Sequence, residues 1–242
     1  MPAQGRGFAR ENNKVNIAII PARGGSKRIP RKNIKVFCGK PMIDYAIEVA
    51  IQSKLFDHII VTTDDLEIKN FALQAGAEVP FLRPKELADD YTPTVPVVFH
   101  AIQECRLLGW DPINVCCIYP CNPFLSSAIL SIGYALLKEH PEKYVFPITE
   151  FASPVQLAIQ RDKSGLSRPL YPGMELKRTQ DIEPAYHDAG QFYWASAETW
   201  KSNPKIHVNS ITLVIPRSRS VDIDTTEDWN LAEKLLKVYT NG

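Results

Sequence analysis

Hydrophobic and polar positions along the chain follow two different periods. Short apolar, β-branched runs occur at residues 15–20, 58–62, 113–119 and 144–149. Between them lie stretches in which apolar residues recur every three or four positions, the mark of amphipathic helices. The spacing predicts helices over about 41–53, 66–74, 94–108 and 126–139. In the first, Ile43, Ala46, Ile47, Ala50 and Ile51 form one apolar stripe, with Pro41 at a first helical position where a missing N–H costs nothing. Near-continuous apolar strands alternating with helices imply a mostly parallel sheet covered on both faces, a doubly wound α/β fold.

From about 150 to 185 this register breaks. Pro154, Gly165, Pro169, Pro172 and Gly173 interrupt short segments such as 155–160, so an excursion from the sheet is expected. The chain returns through apolar runs at 192–196 and 211–215. It closes with a helix starting near Thr225, where Asp228 three residues on completes a capping box. Trp229, Ala232, Leu236 and Tyr239 supply the buried face of that helix. The organisation expected is a flexible extension over 1–14 and one domain over 15–242.

Composition narrows the function classes. Of 242 residues 45% are hydrophobic, and 28 Lys+Arg against 27 Asp+Glu leave a net charge of +1. Disorder is excluded, and no whole-chain field draws the protein to nucleic acid or an acidic membrane. Cys38, Cys105, Cys116, Cys117 and Cys121 lack the paired spacings of a zinc site and read as reduced core thiols. No apolar stretch approaches a membrane span, and the first residues have no apolar core behind their arginines, so the cytoplasm is the expected compartment.

Candidate chemistry begins in the loop after the first strand, residues 21–33. Loops at the carboxyl ends of parallel strands are where such sheets bind ligands, and Gly24 and Gly25 let a backbone approach a phosphate. Arg23, Lys27, Arg28, Arg31 and Lys32 gather five cations within ten residues. This fits a polyphosphate cradle, although the loop is neither a Walker loop nor a GxGxxG turn. A basic solvated loop that touches RNA is the plainer alternative. The second constellation is Asp222 and Asp224, alternate positions on extended chain that project to one side and suit a hard cation such as magnesium beside a triphosphate. Alternatively, Asp224 caps the last helix together with Thr225.

The segments IPARGGSKRIPRKNI, VTTDD, FLRPKELADD, AYHDAGQFYW and DIDTTEDW resemble the CMP-sialic acid synthetase family of cytidylyltransferases over about residues 15–239. The stretch from Tyr186 to Trp194 is most similar to its pseudaminic acid branch. The resemblance implies a nucleotide-diphospho-sugar transferase-like, Rossmann-like sheet and transfer of CMP from CTP to the anomeric hydroxyl of a nine-carbon sugar acid, with release of pyrophosphate. It further implies a nucleotide loop of Ala22, Arg23, Gly24, Gly25, Ser26 and Lys27, with Lys32 and Asn33 closing over it, Arg83 beside the cytidine and Thr94 near the base. Arg83 could equally form an ion pair with Glu86 or Asp89. Arg23, Lys27, Asp222 and Asp224 would be catalytic, the two aspartates holding Mg2+. The resemblance also suggests a homodimer whose 150–185 excursion crosses to the partner, so that residues such as Arg178 and Gln180 serve the neighbouring subunit.

The aromatic and amide content of Tyr186, His187, Asp188, Gln191, Phe192 and Tyr193 points to a sugar pocket, in which about half of these residues touch ligand because strand side chains alternate. The plainer reading is an aromatic-rich strand at a dimer contact. His187 has the unperturbed pKa of a general base, although a histidine before a strand is more often packed or in contact with sugar. The loop from Tyr119 to Pro123 departs from the family's small hydroxyl residues at Cys121 and Asn122, which bears on the sugar accepted. Sialic, legionaminic and 3-deoxy-octulosonic acids are the rival acceptors. A glycosyltransferase with a mid-chain Asp-x-Asp motif and a non-catalytic nucleotide-sensing or RNA-binding module complete the alternatives.

Overall fold

Side chains alternate across a strand, and β1 (Lys14–Pro21) buries both of its faces. Ile17 and Ile19 enter one apolar cluster and Ala18 and Ile20 another, on opposite sides of the sheet. The computed structural model describes residues 14–240. The expected extension therefore lies outside the described residues, except that Lys14 already belongs to β1.

A tight hairpin of β2 (Val36–Phe37) and β3 (Lys40–Pro41) follows the first loop. It turns on Cys38 and Gly39, both with positive φ, as a two-residue turn of the I′ kind requires. Then come α1 (Met42–Ser53), β4 (His58–Thr62), α2 (Leu66–Gln74), α3 (Thr94–Leu107), β5 (Asp111–Ile118), α4 (Ser127–Glu139) and β6 (Val145–Glu150). Each lies where the hydrophobic period places it, to within a few residues at the ends. Pro41 caps α1 instead of occupying its first turn.

The excursion is present. Residues 151–185 carry three single-turn 3-10 helices and a small hairpin of β7 (Ile159–Arg161) and β8 (Ser167–Pro169), and both strands are exposed throughout. The chain re-enters the sheet through β9 (Tyr186–Asp188) and β10 (Phe192–Ser196), followed by α5 (Ala197–Ser202), β11 (Ile211–Val214) and α6 (Thr226–Thr240).

The seven-stranded sheet has the order β11-β6-β10-β5-β1-β4, with β9 also paired to β6. Five of the strands run parallel, whereas β10 is antiparallel to β5 and β6, and β9 is antiparallel to β6. β9 and β10 are thus two segments of one reversed path, broken at Ala189, Gly190 and Gln191. Phe192 pairs with Ile118 at the end of β5, so the break lies at the same sheet edge as the carboxyl ends of β1 and β5.

A third, smaller cluster shapes that edge. Ile29 from the first loop, Ile223 from the segment before α6, and Trp229, Ala232 and Leu236 of α6 pack with Phe37, Met42 and Phe124. The loop cations and the two aspartates lie on either side of these anchors. Thr225 and Asp228 form the expected capping box, the Asp228 amide donating to Thr225 Oγ1 at 3.2 Å and the Thr225 amide to Asp228 Oδ2 at 2.7 Å. Asp224 is therefore not needed as the cap.

Candidate active site

The loops at this edge enclose a cleft of about 480 Å³. Its lining includes Arg23, Ser26, Lys27, Arg28, Lys32 and Asn33 of the first loop, the uncharged group Tyr119, Pro120, Cys121, Ala189 and Gly190, and the carboxylates Asp90, Asp222 and Asp224. Residues from opposite ends of the sequence meet here because α6 and the segment before it dock against the loop that follows β1.

Each cation is already opposed by a carboxylate. Arg23 pairs with Asp90 at 2.7 Å, and Lys27 also pairs with Asp90. Arg28 meets Asp224 at 2.6 Å, and Lys32 meets it at 3.4 Å. The Lys27 and Arg23 contacts hold the Asp90 carboxyl below its ordinary range. Desolvation and then the Asp224 charge push the Asp222 carboxyl up, so the two aspartates repel one another. Among the described residues no group of three or more His, Cys, Asp or Glu side chains is placed to hold a metal. Two neighbouring carboxylates opening on a cleft fit magnesium, which keeps several waters and takes its remaining ligands from phosphate.

Several of the expected site residues have other partners in the structure. Arg31 adopts φ 56° and turns away from the cradle. It bonds Asp65 at 2.5 and 3.0 Å and pairs with Glu67, which leaves four cations in the cleft. Asp65, so paired, has its pKa lowered to about 2 and also caps α2 through the amides of Glu67 and Ile68. Gly24 gives its amide to Asp64 at 3.0 Å, and a Cβ there would meet Asp65 Oδ2 at 2.6 Å. A side chain at this position would collide with Asp65. Ala22 is buried with its amide bonded to the Thr62 carbonyl. Gly25 faces open space.

Arg83 is buried and forms neither ion pair considered for it. Its guanidinium donates to the Thr62 carbonyl and, at 3.3 Å, to Thr62 Oγ1, and burial lowers its pKa to about 10. Thr94 reaches the cleft only through Tyr119, its hydroxyl 2.7 Å from the Tyr119 hydroxyl. Asn33 is buried, donating to the Arg23 carbonyl at 2.9 Å and accepting from Cys121 Sγ at 3.3 Å. Burial raises the Cys121 thiol to about 12, so it supplies no thiolate.

The expected sugar pocket is rearranged most. Phe192 is fully buried against α4, where a Cβ on Gly133 would lie 2.7 Å from its ring; it is a core residue. Gln191 is also fully buried, its amide donating to the Arg219 carbonyl at 2.6 Å. Tyr193 is buried and donates to Asp188 Oδ2 at 2.7 Å. Tyr186 and His187 are exposed on β9, outside the cleft lining. Instead Ala189 and Gly190 face the cleft. The Asn122 side-chain amide donates to the Gly190 carbonyl at 3.0 Å. Asp64 and Asp90 were not singled out from the sequence, and neither was His207, which contacts Asp188. Their only signal was their place inside quoted motifs for the first two, and none for the third.

A mixed sheet with a basic loop and a carboxylate pair at its carboxyl edge defines a nucleotidyltransferase. The chain belongs to the cytidylyltransferase family, whose model matches residues 17–235. It is 41% identical over 224 residues to the pseudaminic acid cytidylyltransferase of Campylobacter jejuni, covering 92% of this chain and 97% of the relative. It is 30% identical over 225 residues to the CMP-N,N'-diacetyllegionaminic acid synthase of Legionella pneumophila, covering 92% and 96%. Its fold matches a CMP:2-keto-3-deoxy-manno-octonic acid synthetase solved in complex with CTP, with a TM-score of 0.70 at 16% identity over 93% of this chain and 99% of that one.

Proposed function

We propose that this enzyme transfers CMP from CTP to the anomeric hydroxyl of a nine-carbon sugar acid, pseudaminic acid being the favoured acceptor over N-acetylneuraminic and legionaminic acids. The observation that carries the reading is that Arg23, Lys27, Arg28 and Lys32 line one cleft together with Asp222 and Asp224. The preference for pseudaminic acid rests on the 41% identity to the Campylobacter enzyme along nearly its whole length.

In the reaction the acceptor oxygen bonds to the α-phosphorus, the bond from that phosphorus to the β-phosphate oxygen breaks, pyrophosphate departs and the hydroxyl proton passes to water. Arg23, Lys27 and Lys32 hold the triphosphate in place of Asp90 and Asp224 and take up charge growing on the departing pyrophosphate. Asp222 and Asp224 would hold Mg2+, which when bound supplies charge neutralisation at the phosphate oxygens. The uncharged wall of Tyr119, Cys121, Ala189 and Gly190 receives the sugar.

Two further parts belong to the same reading. The excursion leaves Ile159, Leu166 and Leu176 exposed, Leu176 by 86%, which supports a homodimer in which this arm packs on a second copy. Among the described residues no helix is long and apolar enough to cross a membrane. The proposed reaction takes place in the cytoplasm on free CTP and sugar acid, without nucleic acid or membrane. Incubation with α-labelled CTP, Mg2+ and pseudaminic acid tests the proposal. Label must appear in a CMP–sugar adduct by mass, and label confined to CTP and free CMP would refute it.

A further inference from the structure

Gly190 contributes backbone to the uncharged lining of the cleft, and one carboxylate behind it fixes that backbone. Gly190 has φ +62°, in the left-handed region, and no Cβ or side chain to hold it. Its carbonyl accepts from Asn122 Nδ2 at 3.0 Å, and its amide donates to Asp188 Oδ1 at 2.7 Å. The other oxygen of the same carboxylate accepts from the Tyr193 hydroxyl at 2.7 Å and lies 2.6 Å from His207 Nε2. Both oxygens of Asp188 thus have partners inside the protein.

His207 comes from the loop between α5 and β11, and no step of the proposed reaction uses it. Its ring packs edge-on against Phe146 at 5.2 Å and against Tyr193 at 6.3 Å. Asp188 is 23% exposed at the side chain and His207 61%. The imidazole therefore covers the carboxylate from the solvent side. Tyr193 in turn packs edge-on against Tyr119, with ring centroids 5.4 Å apart, and Tyr119 lines the cleft. A continuous path of contacts thus runs from a surface histidine to two separate residues of the uncharged wall.

We infer that His207 and Asp188 are a positioning pair: His207 orients the Asp188 carboxylate, which locks Gly190 in its left-handed conformation and shapes the wall that receives the acceptor. Neither residue touches the triphosphate side, where Arg23, Lys27 and Lys32 lie. Asp188 is accordingly a positioning residue and not a reader of the sugar. The inference rests on the acceptor occupying the uncharged wall. Its physical basis does not, because an amide held by a clamped carboxylate is protected whatever ligand binds.

Two measurements on the full chain separate these layers. Loss of a hydrogen bond to a charged group behind the wall should raise the KM for the sugar acid about tenfold in His207→Ala, with CTP affinity unchanged. His207→Gln, whose Nε2 donates from a similar position, should restore the wild-type value. Hydrogen exchange at the Gly190 amide should be slow in wild type, faster in His207→Ala and slow again in His207→Gln. Unchanged exchange in His207→Ala would overturn the inference, and so would equal losses in CTP affinity and melting temperature that Gln does not repair. Wild-type enzyme that turns over no sugar acid yet shows the exchange pattern would refute the proposed acceptor and leave the positioning pair standing.

Discussion

The Lys32 ammonium lies 3.4 Å from the Asp224 carboxylate, 192 positions further along the chain. The pairing is imposed from beneath by Ile29 and Ile223, which share one apolar cluster under α6. Burying those two side chains brings the basic loop and the acidic segment to the same edge. The cations are paired with Asp90 and Asp224, and in the proposed complex a triphosphate takes those carboxylates' places.

That exchange makes the cradle residues separable from their neighbour Arg31. Arg23→Ala, Lys27→Ala and Lys32→Ala are each expected to weaken CTP binding by about tenfold or more, the scale of a lost charge-assisted contact. Arg31→Ala should leave binding unchanged, because its guanidinium is committed to Asp65 and Glu67. Calorimetric titration at one fixed ionic strength checks this. Equal losses for Arg31 and Lys32 would mean that Arg31 swings back into the cleft.

Asp65 provides a pH-dependent contribution to stability. Its folded-state pKa is lowered from 3.8 to about 2, chiefly by the Arg31 hydrogen bonds. A depressed carboxylate pKa stabilises the fold above the unfolded value and loses that contribution as pH falls through the folded one. The interval corresponds to about 2 kcal/mol, present at neutral pH and lost between about pH 4 and pH 2. Asp65→Asn retains an α2 cap but should lack this component. Denaturant unfolding of both proteins at pH 7 and near pH 2 should show a gap at the first and convergence at the second.

Phe192 is expected to behave as core. Gly133→Ala would place a methyl 2.7 Å from its ring and should cost about 1–3 kcal/mol through overpacking. Phe192→Leu should lower the melting temperature and leave the KM for the sugar acid unchanged. A raised KM at unchanged melting temperature would return Phe192 to the sugar pocket.

The strands and helices of the sheet's first half were legible in the sequence because β1, β5 and each helix between them keep one period along their own length. The apolar run of β1 fills both faces of a parallel sheet, and α1 carries a clean stripe. The cradle was legible through the density of charge in one loop, and the aspartate pair through its spacing around Ile223. What escaped reading depends on contacts between distant segments. The removal of Arg31 from the cradle depends on the position of Asp65. The inward turn of Phe192 and Gln191 depends on β10 running antiparallel between β5 and β6, and a run of aromatics does not announce its direction. His207 lies in an irregular loop, and only the folded chain brings it to Asp188.

Pyrophosphate release with CTP and Mg2+ tests the central claim most directly, with pseudaminic, N-acetylneuraminic and 3-deoxy-octulosonic acids offered separately and the Asp222→Ala, Asp224→Ala double variant alongside. Release with pseudaminic acid alone, abolished in the double variant while CTP still binds, is the predicted result. Release with another acid in its place would contradict the assigned acceptor. Full activity in the double variant would contradict the assignment of Asp222 and Asp224, and no release with any acid from folded, CTP-binding protein would contradict sugar-acid cytidylyl transfer itself.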